Sequence, residues 1–272
     1  MNKFAWRTIV TLILVSIVGV VIYVFPNWIF SLVIVLFIAF GQLDFFRLVE
    51  SRKIFVYKYF GIIAGCGIPI VIFIGDKLPS LKNLDPLLIV AACLVTFVLQ
   101  FTRRDNAKDH LTGTALTLFS LFYIAWFFSF FVKIKLLDNG SNLTAFLILI
   151  TKSADIGAYV IGSCIGRTEL IPRISPKKTK EGTIGGIVVS AVIALTLGRI
   201  LTNFSFVHLF ILGVVLAVLG QVGDLAESLI KRDCGAKDAG SYLPGIGGAL
   251  DIMDSLLFTA PVFYFYVKIM QS

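Results

Sequence analysis

Acidic and basic residues are concentrated in one stretch near the C-terminus, residues 224–254, which lies between two strongly apolar segments. Because a charge held in lipid without a partner is costly, charge this dense beside apolar flanks indicates a functional site at the membrane surface. Six of the sixteen carboxylates of the chain fall in this stretch, namely Asp224, Glu227, Asp233, Asp238, Asp251 and Asp254.

The spacing of these carboxylates predicts a site for a hard cation. If residues 224–231 continue the preceding apolar helix, four polar side chains share one face, since helix neighbours recur at three and four residues. They are Asp224, Glu227, Ser228 and Lys231. Asp251 and Asp254 share a face in the same way at the start of the last helix. Converging carboxylates offer the oxygen ligands that Mg²⁺ prefers, and a second cation beside it is left open.

Cationic residues between the two acidic helix ends indicate phosphate ligands. Lys231, Arg232 and Lys237 precede the glycine-containing segment 244–248, whose bare backbone can approach a phosphate closely. The segment does not fit the P-loop pattern. A solvated loop with internal ion pairs is the alternative interpretation.

A second polar region, residues 151–186, adds candidates. Lys152 and Asp155 interrupt an apolar span, where polar side chains are functional candidates, although a mutual salt bridge is the alternative. The run from Ser175 to Gly182 leads into the next apolar helix, and its lysines suit an anion at the helix N-terminus. A basic loop on lipid headgroups is the alternative. Together, the two regions predict a metal-dependent reaction on phosphates, with a nucleotide from the cytosol and a lipid from the bilayer.

The composition predicts an all-α polytopic membrane protein. The chain is 58% hydrophobic and 15% charged with a mean hydropathy of +0.94, whereas soluble domains are about half apolar and about a quarter charged. The net charge of +8 is explained by basic loops and anionic lipid, without nucleic acid. The four cysteines form no CxxC pair, which favours reduced cysteines packed as small apolar residues.

The long apolar runs of the chain predict its membrane-spanning helices. We predict nine spans at about 6–25, 27–43, 57–75, 84–101, 111–132, 143–162, 182–201, 204–224 and 250–270.

The distribution of lysine and arginine predicts the orientation. With nine spans, seventeen of these residues fall on the side of the N-terminus and six on the other. Basic loops stay in the cytoplasm, so the N-terminus and the loops 163–181 and 225–249 are predicted to be cytoplasmic. We expect N-terminal scaffold helices over 1–140 and a catalytic membrane region over 141–272.

At these residues the chain resembles the phosphatidate cytidylyltransferases, also called CDP-diacylglycerol synthases. Their signature reads approximately S-x-x-K-R-x4-K-D, then P-G-H-G-G, then D-R-x-D, after an upstream Gly-Asp and a segment S-P-K-K-T-x-E-G. The matching residues include Asp155, Ser175, Lys177, Lys178, Thr179, Asp224, Ser228, Lys231, Arg232, Lys237, Asp238, Gly247, Gly248, Asp251 and Asp254. The resemblance covers about 150–262. Ile246 and Ile252 stand where the family has His and Arg, so a proton transfer or phosphate contact by those two is not available here.

The resemblance implies a reaction of CTP with phosphatidate that gives CDP-diacylglycerol and pyrophosphate. As a hypothesis, Asp224 and Asp251 bind Mg²⁺, and Asp254 is a third ligand or supports the ligands; Ser228 and Lys231 complete the predicted catalytic group. The predicted substrate-binding residues are Asp155, Ser175, Lys177, Lys178, Thr179, Arg232, Lys237, Asp238, Gly247 and Gly248. The resemblance also suggests a homodimer. We expect a bacterial cytoplasmic membrane, and the distribution of lysine and arginine predicts an active site that faces the cytoplasm. The alternatives are a related transferase acting on another lipid phosphate and a non-enzymatic cation transporter.

Overall fold

The computed structural model describes residues 16–81, 84–102, 110–240 and 247–271. Within these residues, eight helices are long and apolar enough to cross a membrane. They are α1 (Asn27–Ser51), α2 (Lys58–Lys77), α3 (Asp85–Thr102), α4 (His110–Lys135), α5 (Gly140–Ile165), α6 (Lys180–Leu201), α7 (Phe206–Asp233) and α8 (Ala249–Gln271). The all-α polytopic fold predicted from composition is confirmed.

These helices correspond to the second to ninth predicted spans. The first predicted span, 6–25, falls mostly outside the described residues, and its described part is helical over 16–23. The predicted continuation of the eighth span through residue 231 is also confirmed, since α7 ends only at Asp233. The polar end of α7 therefore projects beyond the apolar part of the helix, and the link to α8 is shorter than the predicted loop 225–249.

A small antiparallel hairpin lies within the predicted loop 163–181. Strand β1 (Glu169–Ile171) pairs with β2 (Ser175–Thr179), with Glu169 opposite Thr179. β2 leads directly into α6, whose N-terminal N–H of Gly182 donates to the Thr179 hydroxyl at 3.1 Å. A threonine hydroxyl is a favoured partner for an otherwise unpaired N–H at a helix start. The hairpin thus holds the predicted anion-binding residues at the N-terminus of α6.

Helix α8 connects the two parts of the chain. It packs against α7 and α5, and also against α4 and α1 of the N-terminal part. The core between them is rich in phenylalanine, and Phe45 of α1, Phe130 of α4 and Phe263 of α8 are almost completely buried. Many apolar side chains on the outer faces are exposed, for example Ile63, Leu94 and Ile200, as expected of helices surrounded by lipid.

Candidate active site

An acidic cluster forms where α7 and α8 meet. One carboxylate oxygen each of Asp224, Glu227 and Asp254 lies within 4.8 Å of the others. Asp224 and Glu227 share a face of α7 because they are three residues apart. The helices touch closely at Gly223, where an added Cβ would lie 2.4 Å from the Asp254 carbonyl oxygen. The glycine therefore allows the carboxylates of the two helices to converge.

The cluster is largely shielded from solvent. Glu227 is fully buried and Asp254 is 9% exposed, whereas Asp224 is partly exposed. The Oε1 atom of Glu227 has no hydrogen-bond partner within the described ranges. A buried, unpartnered carboxylate oxygen is costly, so a further positive group at this position would stabilise the cluster. Three oxygen donors without nitrogen or sulfur suit Mg²⁺, so the residues fit the predicted metal.

Each carboxylate of the cluster has a lysine beside it. The ammonium nitrogen of Lys178 lies 2.6 Å from Asp224, and that of Lys231 lies 2.5 Å from Glu227. Lys152 is more distant, at 3.9 Å from Asp254. The three lysines come from β2, α7 and α5, so three separate elements supply positive charge to one acidic centre.

Lys152 and Asp155 take part in a network with α8. Lys152 donates to Asp155 at 3.1 Å and to the hydroxyl of Ser255 at 2.8 Å, and Ser255 donates to Asp155 at 3.0 Å. The mutual salt bridge considered from the sequence is therefore present. It does not lie apart from the site, because its lysine also faces Asp254.

Asp251 is not among the three carboxylates whose oxygens lie within 4.8 Å of one another. Its Oδ1 accepts from Lys231 at 2.7 Å, and its Oδ2 accepts from the backbone N–H groups of Ala239 and Gly248 at 3.1 and 2.7 Å. Lys231 consequently bridges Asp251 and Glu227. Whether Asp251 binds the metal stays a prediction.

A cavity of about 420 Å³ adjoins the acidic cluster. It lies between α5, β2, the start of α6 and α7, and it shares Asp155 and Asp224 with the polar networks described above. Lys177, Lys178 and Thr179 of the predicted substrate group also line it. The lysine and threonine side chains in this lining can contact a phosphate group next to the carboxylates.

The remaining predicted residues lie around this centre at different depths. The hydroxyl of Ser228 is 3.5 Å from Asp224, and Ser175 is half-buried in β2. The guanidinium of Arg232 donates to the carbonyl oxygens of Ile174 and Ala236, so it links the end of α7 to the hairpin. Lys237 and Asp238 are exposed, whereas Gly247 and Gly248 precede α8.

Of the two positions at which the chain differs from the family signature, the structure describes one. Ile246 lies outside the described residues, together with Pro244 and Gly245. Ile252 is half-buried in the first turn of α8, directly after Asp251. An apolar side chain therefore occupies the position at which the family signature has Arg.

Two residues of the site were not predicted. Glu227 was placed on the acidic face but not among the ligands, although its spacing from Asp224 was a sufficient signal. Asp44 of α1 is fully buried and accepts from the backbone N–H of Leu250 at 3.3 Å. Asp44 follows directly after the predicted span 27–43, and only the continuation of α1 to Ser51 places it inside a helix.

The fold and the site define a polytopic membrane protein with a lysine-surrounded acidic centre suited to phosphate ligands. Residues 5–270 match the sequence profile of the Cytidylyltransferase family. This match spans nearly the whole chain of 272 residues. The chain belongs to the cytidylyltransferase family.

Curated relatives agree with this assignment. The chain is 32% identical over 241 residues to the Phosphatidate cytidylyltransferase of Bacillus subtilis (strain 168), which covers 86% of this chain and 88% of that protein. It is 32% identical over 225 residues to the Phosphatidate cytidylyltransferase of Staphylococcus saprophyticus, with coverage of 81% and 85%. It is also 38% identical over 156 residues to the YnbB protein of Escherichia coli (strain K12), covering 57% of this chain. The last match spans about half of that relative, 52% of its length.

Proposed function

We propose that this protein condenses CTP with phosphatidate to form CDP-diacylglycerol and pyrophosphate. The observation that carries the proposal is the acidic cluster of Asp224, Glu227 and Asp254, surrounded by lysines and open to a cavity on one side. Relatives with the name phosphatidate cytidylyltransferase match over most of their length. In the reaction, a phosphatidate oxygen bonds to the α-phosphorus of CTP, and the bond from that phosphorus to the β-phosphate oxygen breaks.

Asp224, Glu227 and Asp254 would hold Mg²⁺, with Asp251 as the further ligand predicted from the sequence. When bound, the cation neutralises negative charge on the phosphates, which carries much of such a transfer. A second cation stays an open alternative. Lys231 already places a positive charge between Glu227 and Asp251, which a second cation at that position would have to displace.

The lysines of the site have a role that follows from their present partners. Lys178 and Lys231 are paired with carboxylates that would bind the cation. With the carboxylates neutralised, the same ammonium groups become available to phosphate oxygens of the substrates. They would orient the reacting phosphates and stabilise the departing pyrophosphate, since positioning and charge stabilisation provide most of the catalysis in phosphoryl-type transfers.

The cavity suggests where the lipid phosphate lies. Lys177 and Thr179 line it at the N-terminus of α6, where a helix favours an anion. Tyr159, which also lines it, is 76% exposed on the outer face of α5. We therefore assign this cavity to the phosphate of phosphatidate, with entry from the lipid side. The cytoplasmic orientation of the site, the bacterial cytoplasmic membrane and a homodimer stay predictions.

The test is transfer of label from CTP into lipid. Purified protein in detergent is given CTP labelled at the α-phosphate, Mg²⁺ and phosphatidate, and the organic extract is counted. Label in the lipid fraction that requires phosphatidate supports the proposal. Diacylglycerol without the phosphate is the matched control acceptor and should give no labelled lipid.

A second acceptor is worth testing because of one observation. Ile252 replaces the arginine of the family signature, so one positive charge is missing beside Asp251. This difference favours a changed preference among lipid phosphates. Label transfer to a polyprenyl phosphate, with none to phosphatidate, would contradict the proposed substrate and support the related transferase. The other alternative function, a cation transporter, has no comparable support from family membership.

A further inference from the structure

A buried carboxylate in the N-terminal part of the chain contacts the active-site segment. Asp44 lies on α1, in the half of the sequence that was expected to serve as scaffold, and it is fully buried. Its Oδ2 accepts the backbone N–H of Leu250, the second residue of α8, at 3.3 Å. The first N–H groups of a helix have no partner within the helix, and a negative charge there is favourable. Asp44 thus caps α8 from a different helix.

Two glycines, Gly240 and Gly248, lie against this carboxylate. A Cβ added to Gly240 would lie 2.5 Å from Asp44 Oδ1, and one added to Gly248 would lie 2.3 Å from Oδ2. The same Cβ on Gly248 would be 2.7 Å from the backbone nitrogen of Gly240, so the two glycines also contact each other. No side chain larger than hydrogen fits at either position without displacing Asp44.

The start of α8 also carries two carboxylates that were predicted to bind the metal. Asp251 accepts from the N–H groups of Ala239 and Gly248, so it holds these two residues close together. Asp251 and Asp254 are the third and sixth residues of α8. The start and rotation of the first turn of α8 therefore decide where both side chains point.

We propose that Asp44 is a positioning residue that fixes the first turn of α8 and thereby places Asp251 and Asp254 for cation binding. The inference rests on the proposed function of the acidic cluster. It makes α1 a part of the active site, although Asp44 itself does not touch substrate. Asp44 acts through two contacts: its hydrogen bond to Leu250 and its packing against the bare backbone of Gly240 and Gly248.

The test compares Asp44→Ala and Asp44→Asn with a matched control, Asp85→Ala. Asp85 is, like Asp44, a buried aspartate of the N-terminal part, and it lies at the start of α3. Its partners are Lys133 and Trp126, which belong to neither the cluster nor the cavity. For each protein, the Mg²⁺ concentration for half-maximal activity is measured. A second readout without turnover is the Mg²⁺-dependent rise in melting temperature in detergent.

We expect Asp44→Ala to raise the Mg²⁺ requirement on the order of tenfold, as when a group that orients metal ligands is lost. Asp44→Asn retains an acceptor oxygen but loses the charge, so its requirement should lie between those of the wild type and Asp44→Ala. Asp85→Ala should lower the melting temperature and leave the Mg²⁺ requirement unchanged. If Asp44→Ala yields no folded protein, Asp44→Asn decides alone.

A Mg²⁺ requirement equal to that of the wild type in the Asp44 variants would overturn the proposal, whatever their melting temperatures. An equal increase in Asp85→Ala would also overturn it, because the effect would then reflect general destabilisation. The two proposals can fail separately. If the wild type makes no lipid product from CTP and phosphatidate, the proposed reaction is wrong, but the Mg²⁺-dependent melting shift still tests the position of Asp44.

Discussion

Two buried sites in this protein differ in the balance between their acidic and basic side chains. Near the beginning of α3, Asp85 is paired with Lys133 at 2.6 Å and also accepts from Trp126 at 3.2 Å, so one carboxylate meets one ammonium group. The network between α5, β2, α7 and α8 has an excess of acid. Its carboxylates are Asp155, Asp224, Glu227, Asp251 and Asp254, and its ammonium groups are those of Lys152, Lys178 and Lys231.

The difference distinguishes a balanced ion pair from a network with an excess of negative charge, which we propose as the cation site. Five carboxylates against three ammonium groups leave two negative charges when all are ionised, which matches one divalent cation. Uncompensated charge in a membrane protein is expensive and is retained mainly where it has a function. The balanced pair at Asp85 needs no further partner. We therefore expect substitutions at the two sites to have different consequences.

The largest effect is expected from Asp254→Asn. The amide keeps the size of the side chain but removes a negative charge from the centre of the acidic cluster. Activity should fall by more than about 100-fold, beyond the usual effect of groups that only support metal ligands. Label transfer from CTP into lipid measures this loss, and folding is checked by the melting temperature. Near wild-type activity in a folded Asp254→Asn protein would remove the cluster from the mechanism.

A comparison of Glu227→Gln with Asp251→Asn sharpens the assignment of the ligands. The geometry groups Glu227 with Asp224 and Asp254, whereas the sequence pattern selects Asp251. If both bind the cation, each variant should raise the Mg²⁺ requirement by at least about tenfold. A change in one variant only would identify the ligand and reduce the other to a partner of Lys231.

The smallest effect on activity is expected at the balanced pair. Lys133→Met leaves the buried Asp85 carboxylate without its ammonium partner, and breaking a buried pair costs about 3 kcal/mol. The melting temperature should fall, whereas the Mg²⁺ requirement of the folded protein should not change. A shift in the Mg²⁺ requirement would show that the two charge sites are coupled, contrary to their separation here.

The sequence predicted most of the fold because membrane spans leave a strong local signal. Long apolar runs identified helices α1 to α8, and the spacing of Asp224 and Glu227 correctly placed them on one helical face. The β1–β2 hairpin was not predicted, since its strands have three and five residues and no clear alternation of apolar and polar side chains. Local patterns this short carry little information.

The parts of the site that depend on contacts between distant residues could not be predicted in the same way. Asp44 and Leu250 are 206 residues apart, and nothing in either local pattern indicates that they meet. Likewise, the motif predicted a phosphate role for Lys178, but not its ion pair with Asp224. Such contacts follow from the packing of α8 against both parts of the chain, which only the three-dimensional structure reveals.

The most direct test of the central claim is binding of Mn²⁺ as a spectroscopic substitute for Mg²⁺. Electron paramagnetic resonance of the purified protein in detergent distinguishes free from bound Mn²⁺ without any substrate. The account predicts a bound Mn²⁺ population that Mg²⁺ displaces and that Asp254→Asn abolishes, whereas Lys133→Met retains it. Binding that persists unchanged in Asp254→Asn would contradict the claim that the acidic cluster is the cation site.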